Sequence, residues 1–89
     1  MRFWNFDWDD GNIDHIARHG VEVDEVEQAL SAKPLIRKGR FERYLAFAKT
    51  AAGRYLFVVV KNLGKGWARV ISARDMTRAE RRYYRRKGK

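Results

Sequence analysis

The feature that most constrains the fold is a continuous apolar run, YLFVVV, over residues 55–60 of the 89-residue chain. A run this rich in β-branched and aromatic residues predicts a central strand that is covered on both faces. Residues 67–73 predict a second strand after a turn over residues 62–66, and alternation over residues 42–48 predicts a third. Because the connecting loops are short, these three strands indicate an antiparallel meander.

The chain before this meander predicts an edge strand and two short helices. In the strand, Trp4, Phe6 and Trp8 alternate with polar residues, so we expect them on one half-buried side. The aspartates at residues 9–10 are candidate N-caps of the first helix, which a glycine at residue 20 ends.

The second helix is predicted from a capping box and a proline. Asp24 and Glu27 have the capping-box spacing, and Pro34 ends the helix because its nitrogen carries no hydrogen. Residues 35–37 then predict a further short strand.

Positive charge is concentrated at the C-terminus. Residues 69–89 hold seven Arg and two Lys against Asp75 and Glu80, a net charge of +7, whereas residues 1–32 carry −6. Thr77 and Glu80 have the spacing of a capping box, so a basic helix is predicted to begin near Thr77. A strand that leads into a cationic, tyrosine-bearing helix indicates a surface for a polyanion.

Composition excludes several classes of site. The chain has no cysteine, which excludes disulfides, thiolate nucleophiles and Cys-based zinc sites. No apolar run approaches the ~20 residues of a membrane span, so we expect a cytoplasmic protein that does not contact a membrane. The predicted architecture is a single α+β domain over residues 1–89. It consists of a twisted antiparallel sheet of about four strands, two N-terminal helices and a basic C-terminal helix.

Several short motifs occur in a fixed order: Trp8-Asp9, Asn12, Arg18-His19-Gly20-Val21, Gly53-Arg54, Ile71-Ser72-Ala73-Arg74, and Thr77 with Glu80-Arg81. Together they resemble the pattern of the BrnT family of toxins, over nearly the whole chain. The stretch over residues 33–42 is short, so the variable loop of that family is minimal here. The resemblance implies a RelE-like fold, ribonuclease activity and neutralisation by a BrnA antitoxin encoded alongside.

Metal-free RNA cleavage requires proton transfer at the 2′-hydroxyl and the leaving oxygen, and stabilisation of a pentavalent phosphorane. Arg74 is the predicted stabilising cation, because a guanidinium donates two hydrogen bonds to phosphate. The alternative for Arg74 is a surface ion pair with Asp75 or Glu80. Glu80 is a candidate general base or only a capping residue. Tyr83 and His19 complete the predicted catalytic set, as proton donors or acceptors.

A further group of side chains is predicted to contact RNA, through phosphates or by stacking on a base: Arg40, Arg43, Arg54, Lys61, Arg69, Arg78, Arg82 and Tyr84. His15 and His19 have a metal-ligand spacing, but no third ligand is apparent, so we predict neither a metal nor another cofactor.

The predicted function is that of a type II toxin that cleaves mRNA without a metal. A BrnA-like antitoxin is expected to cover the basic face in a hetero-oligomer. The alternatives are a non-catalytic RNA- or DNA-binding module and a protein that acts only through protein interactions.

Overall fold

The computed structural model describes residues 1–87. Its elements in chain order are β1 (Asn5–Asp7), α1 (Asp10–Ala17), α2 (Val23–Ser31), β2 (Leu35–Lys38), β3 (Arg43–Lys49), β4 (Tyr55–Gly64), β5 (Trp67–Asp75) and α3 (Arg78–Lys87). None of the helices in this part of the chain is long and apolar enough to cross a bilayer.

The sheet is mixed and has five strands, in the order β1-β5-β4-β3-β2, which corrects the prediction of about four antiparallel strands. The meander of β3, β4 and β5 is antiparallel as predicted, and β2 extends it by pairing antiparallel to β3. β1 instead runs parallel to β5, with Phe6 opposite Ala68. This parallel pair is possible because all of the intervening elements form the crossover between its two strands.

The turn between β4 and β5 is shorter than predicted and fixes the position of Trp4. β4 continues to Gly64, and the backbone turns at Lys65 and Gly66 with φ of 53° and 81°. A Cβ atom at Gly66 would lie 2.3 Å from the Trp4 ring, so the indole covers this glycine. Trp4 is 63% exposed whereas Phe3 is 2% exposed. The prediction that Trp4 lies on the half-buried side of the edge strand is therefore wrong, because Phe3 enters the core and Trp4 lies at the surface.

The hydrophobic core lies between one face of the sheet and the helices α1 and α2. Alternate residues of β3, β4 and β5 face it, because side chains of a strand point to opposite faces in turn. Its fully buried members include Ala46, Val58, Val60, Val70, Ile16, Val26 and Leu30.

Helix α1 begins as predicted, and its cap also holds the sheet. The Asn12 backbone N–H donates to Asp9 Oδ1 at 3.0 Å, and the Asp9 N–H donates to Asn12 Oδ1 at 2.8 Å. The buried Asn12 amide also donates to the carbonyls of Asp7 (2.9 Å) and Val70 (3.1 Å). Since these residues lie on β1 and β5, Asn12 satisfies buried backbone acceptors at the parallel pair.

Helix α2 begins with Glu22 as its N-cap, so the predicted box of Asp24 and Glu27 is wrong. The Glu22 N–H donates to Glu25 Oε1 at 3.0 Å. Glu27 is used elsewhere, because its carboxylate accepts a 2.8 Å hydrogen bond from the Trp8 indole.

Helix α3 packs on the sheet face opposite to α1 and α2, which we call the α3 face. Phe47, Phe57 and Arg74 are register partners across β3, β4 and β5 on this face. The Tyr83 ring lies 5.1 Å from the Phe47 ring, measured between centroids. No residue of α3 is buried, so the helix covers this face only in part.

Candidate functional site

Arg74 is held at the end of β5 by contacts that fix its plane. Its Nη1 and Nη2 donate to the two carboxylate oxygens of Glu80 at 2.8 and 3.0 Å, and Nη1 also donates to the Asp75 carbonyl at 3.0 Å. The guanidinium carbon lies 4.5 Å from the centroid of the Phe57 ring. A guanidinium that is paired through two nitrogens and stacked on a ring has little rotational freedom.

One edge of the Arg74 guanidinium remains open. An arginine has five N–H donors, and the contacts with Glu80 and Asp75 use three of them. The Nε–H and the second Nη2–H lie on the same edge of the plane, and no hydrogen bond within residues 1–87 uses them. The side chain is 38% exposed, and we call these two unused donors the open edge of Arg74.

Glu80 both caps α3 and pairs with Arg74. Its Oε1 accepts the Thr77 N–H at 2.8 Å, and the Glu80 N–H donates to Thr77 Oγ1 at 3.1 Å, which confirms the predicted box. The hydrogen bond from Arg74 is the main reason that the pKa of Glu80 is lowered, and the same bond raises the pKa of Arg74. A carboxylate with a lowered pKa is a weaker proton acceptor, so this geometry favours a role for Glu80 in positioning Arg74.

Tyr83 lies on the α3 face, between an aromatic ring of β3 and a cation of β2. In addition to its contact with Phe47, its ring lies 5.3 Å from the guanidinium carbon of Arg37. Sequence reasoning did not single out Arg37. Its position could have been predicted from the alternation of β2. Arg37 is two residues from Leu35, so both side chains lie on the same face, and Leu35 is the register partner of Phe47.

A second aromatic cluster lies further along the same face. Tyr84 packs edge-on to Tyr55 with centroids 6.0 Å apart. Lys49 Nζ and the Arg85 guanidinium carbon lie 5.6 and 5.5 Å from the Tyr55 centroid. Arg85 is the main cause of a lowered pKa of the Tyr55 phenol, and the charges of Lys49 and Arg81 lower it further. The sequence analysis did not predict Tyr55, Lys49 or Arg85 as site residues. The pairing of β3 with β4 is the feature that brings Lys49 next to Tyr55, because these two residues are register partners.

Arg54, a predicted phosphate contact, is surrounded by acceptors of the protein itself. It pairs with Asp75 at 2.7 Å and Glu25 at 2.9 Å, and donates to the Gly20 carbonyl at 2.8 Å. These partners raise its pKa, and the hydrogen bond to Asp75 is the largest cause. Arg54 therefore joins the α1–α2 loop and α2 to the end of β5, next to Arg74.

Arg69, a second predicted phosphate contact, pairs with Asp9 at 2.8 Å and Asp7 at 3.3 Å. Two other predicted contacts, Arg43 and Lys61, are its register neighbours on β3 and β4. These three cations form a row across the α3 face at the end away from Arg74, and Arg43 and Lys61 are exposed.

The remaining predicted residues lie outside this face. Arg40 is exposed in the β2–β3 loop, and Arg78 and Arg82 are exposed on α3. The His19 ring lies 6.0 Å from that of His15 in α1, and its carbonyl accepts a 3.5 Å hydrogen bond from Arg54. The structure thus brings Arg74 and Glu80 into direct contact, places Tyr83 one helical turn further along α3, and links the His19 backbone to Asp75 through Arg54. Within residues 1–87, no three His, Cys, Asp or Glu side chains are placed to hold a metal ion.

A family model matches most of the chain, and a solved structure has a similar fold. The family model described as "Ribonuclease toxin, BrnT, of type II toxin-antitoxin system" matches residues 8–80. The fold is similar to the crystal structure of the Brucella abortus ribonuclease toxin BrnT, with a TM-score of 0.65 and 20% identity over 88% of this chain and 100% of that chain. At this identity the structural likeness shows the fold alone. No curated protein matches the sequence.

Proposed function

The chain belongs to the BrnT family of ribonuclease toxins of type II toxin–antitoxin systems, and from this premise we propose that it is a metal-independent endoribonuclease that cleaves mRNA in the cytoplasm. The observation that supports this proposal is the open edge of Arg74. Its two donors are held in a fixed plane on an otherwise cationic face, which is the geometry that a phosphate needs for a two-point contact.

In the proposed reaction the 2′-oxygen of a ribose attacks the adjacent phosphorus, and the bond to the 5′-oxygen breaks. Negative charge accumulates on the non-bridging oxygens of the phosphorane, where Arg74 donates from Nε and Nη2. A preorganised donor stabilises this charge more than that of the starting phosphate, and removal of such a donor costs about 10²–10³ in rate.

The proton transfers are assigned first to residues of α3. Tyr83 is proposed to donate a proton to the leaving 5′-oxygen or to hold a base by stacking. Glu80 is proposed to orient Arg74, and acceptance of the 2′-hydroxyl proton is a secondary role because its pKa is lowered. His19 is a weaker candidate for either transfer, because the contact that links it to Asp75 next to Arg74 is made by its backbone carbonyl through Arg54.

The proposed partner is a BrnA-like antitoxin that covers the basic face in a hetero-oligomer. The net charge of +9 favours a partner segment rich in carboxylates, because complementary charge speeds association and excludes competing polyanions. Binding there would block the open edge of Arg74.

The proposal is tested by expressing the chain with and without the neighbouring gene and mapping RNA ends. The variants Arg74→Ala and Arg74→Lys are compared, since lysine keeps the charge and loses the planar fork. We expect both variants to lose cleavage by about 10²-fold or more and both to remain folded by circular dichroism. Wild-type cleavage by Arg74→Ala would refute the site, and salt-sensitive binding without product in the wild type would favour the non-catalytic binding module.

A further inference from the structure

A cationic cavity lies beyond the Tyr55 cluster, where α2, the end of β3 and α3 meet. Its volume is about 560 Å³, and its lining includes Arg2, Lys33, Lys49 and Tyr84 together with small residues at the end of α2. A neighbouring cavity of about 300 Å³ shares Arg2 and Lys33. We call this pair of cavities the α2–α3 groove.

The groove concentrates positive charge without internal compensation. No carboxylate lines either cavity, and no ion pair within residues 1–87 involves Arg2, Lys33 or Lys49. All three side chains are exposed. By contrast, Arg54, Arg69 and Arg74 each have a carboxylate partner. Cations that converge on a cavity with no anion between them repel one another, and a bound anion relieves that repulsion.

The groove also offers an aromatic surface held in place. The Tyr84 ring is half-buried and packs edge-on against Tyr55, so its orientation is set by the sheet. Lys49 lines the cavity and also lies against the Tyr55 ring. Cations that follow a backbone, combined with a ring for a base, are the elements by which proteins bind single-stranded nucleic acid.

The groove lies on the side of the Arg74 site that is nearer the start of β4. Lys49 is the register partner of Tyr55, two residues along β4 from Phe57, which is opposite Arg74. Strand spacings of about 4.8 Å and a rise of about 3.3 Å per residue put the Cα atoms of Arg74 and Lys49 roughly 12 Å apart. On the other side, Ser31 separates the groove from a cavity lined by Asp24 and Glu27, which a polyanion would avoid.

We propose that the α2–α3 groove binds the single-stranded RNA that flanks the scissile phosphate, with its phosphates at Arg2, Lys33 and Lys49 and one base on Tyr84. This inference rests on the proposed function, because it extends the RNA that Arg74 would contact. It adds a subsite that sets how much RNA the protein engages.

The test measures binding of a labelled single-stranded RNA at several salt concentrations, in an Arg74→Ala background that prevents cleavage. Lys33→Gln/Lys49→Gln removes two groove charges, and the matched control Lys38→Gln/Lys65→Gln removes two exposed charges elsewhere. Each lost phosphate contact lowers the salt slope by about 0.7 for a single strand, so we expect a decrease of about 1.4 and affinity about tenfold weaker at 0.15 M salt. The control pair is expected to change the slope by less than about 0.5.

Two further readouts separate this subsite from general charge and from catalysis. Tyr84→Phe keeps the stacking ring and is expected to bind as the parent does, whereas Tyr84→Ala is expected to bind at least about fivefold more weakly. With Arg74 intact, the groove pair is expected to raise KM for RNA cleavage and leave kcat unchanged.

Equal losses of affinity in the groove pair and the control pair would overturn the inference. Unchanged RNA affinity of the groove pair would also overturn it, and if antitoxin binding were lost at the same time, the groove would belong to the antitoxin. Neither result would affect the Arg74 site. Conversely, wild-type cleavage by Arg74→Ala would refute that site; the salt slopes would then be measured with a 2′-O-methyl RNA, which lacks the attacking hydroxyl, and would still report on the groove.

Discussion

The replacement Arg54→Met tests whether this arginine stabilises the fold or contacts phosphate. It removes a 2.9 Å ion pair with Glu25, in which both side chains are 27% exposed, and a 2.7 Å pair with Asp75, which is 63% exposed. It also leaves the Gly20 carbonyl without its 2.8 Å donor.

The expected loss of stability follows from these exposures. A partly buried hydrogen bond to a charged group contributes about 1.5–3 kcal/mol, and an exposed ion pair contributes about 0–1 kcal/mol. We therefore expect Arg54→Met to lower the free energy of unfolding by about 2–3 kcal/mol. For a domain of this size, that corresponds to a decrease in Tm of roughly 10–20 °C.

The assay is urea unfolding followed by circular dichroism, with Arg69→Met as the matched control. The carboxylate partners of Arg69 are 48% and 53% exposed, so we expect a loss of only about 1 kcal/mol there. RNA affinity per folded molecule should be unchanged in Arg54→Met. A variant that stays within about 0.5 kcal/mol of the wild type but shows a reduced salt slope for RNA would refute this reasoning and establish Arg54 as a phosphate contact.

Three other predictions concern pH, the β4–β5 turn and metal ions. Arg74 lowers the pKa of Glu80, so their ion pair stabilises the fold above the unfolded-state pKa of about 4.3 and this stabilisation is lost as pH falls through the lower pKa of the folded state. Glu80→Gln should therefore flatten the decrease in Tm between about pH 5 and pH 3. An unchanged pH profile of Tm would contradict the ion pair. Gly66→Ala should destabilise the protein by about 2 kcal/mol or more and shift tryptophan fluorescence, because the new Cβ would lie 2.3 Å from the Trp4 ring; wild-type stability would contradict this packing. Cleavage should be unaffected by excess EDTA, measured by product formation, and a loss that magnesium restores would refute metal independence.

The sequence predicted best what is encoded within a few residues. The Thr77–Glu80 box and the glycine that ends α1 are confirmed, because capping chemistry depends on spacing of three or four residues. The family motifs also identified the segment that holds Arg74.

Features that depend on residues distant in sequence could not be predicted from local spacing. The acceptors of Arg54 lie 21 to 35 residues away in sequence, so its ion pairs could not be predicted from the residues around it. Glu22 rather than Asp24 caps α2, since both are acidic and only the folded backbone selects between them. Arg37 and Lys49 were overlooked because their significance comes from rings contributed by α3 and β4.

The parallel pairing of β1 with β5 has a consequence for synthesis of the chain. Asp7 and Arg69 are 62 residues apart, so the first strand has no partner until the last strand of the sheet has left the ribosome. Phe3 and Phe6 remain exposed to solvent during that interval. Folding is slowed because β1 and β5 pair only after a long loop between them has closed. Because β5 also carries Arg74, the edge strand and the proposed cleavage site are completed in one late step, and a nascent chain is expected to be inactive until then.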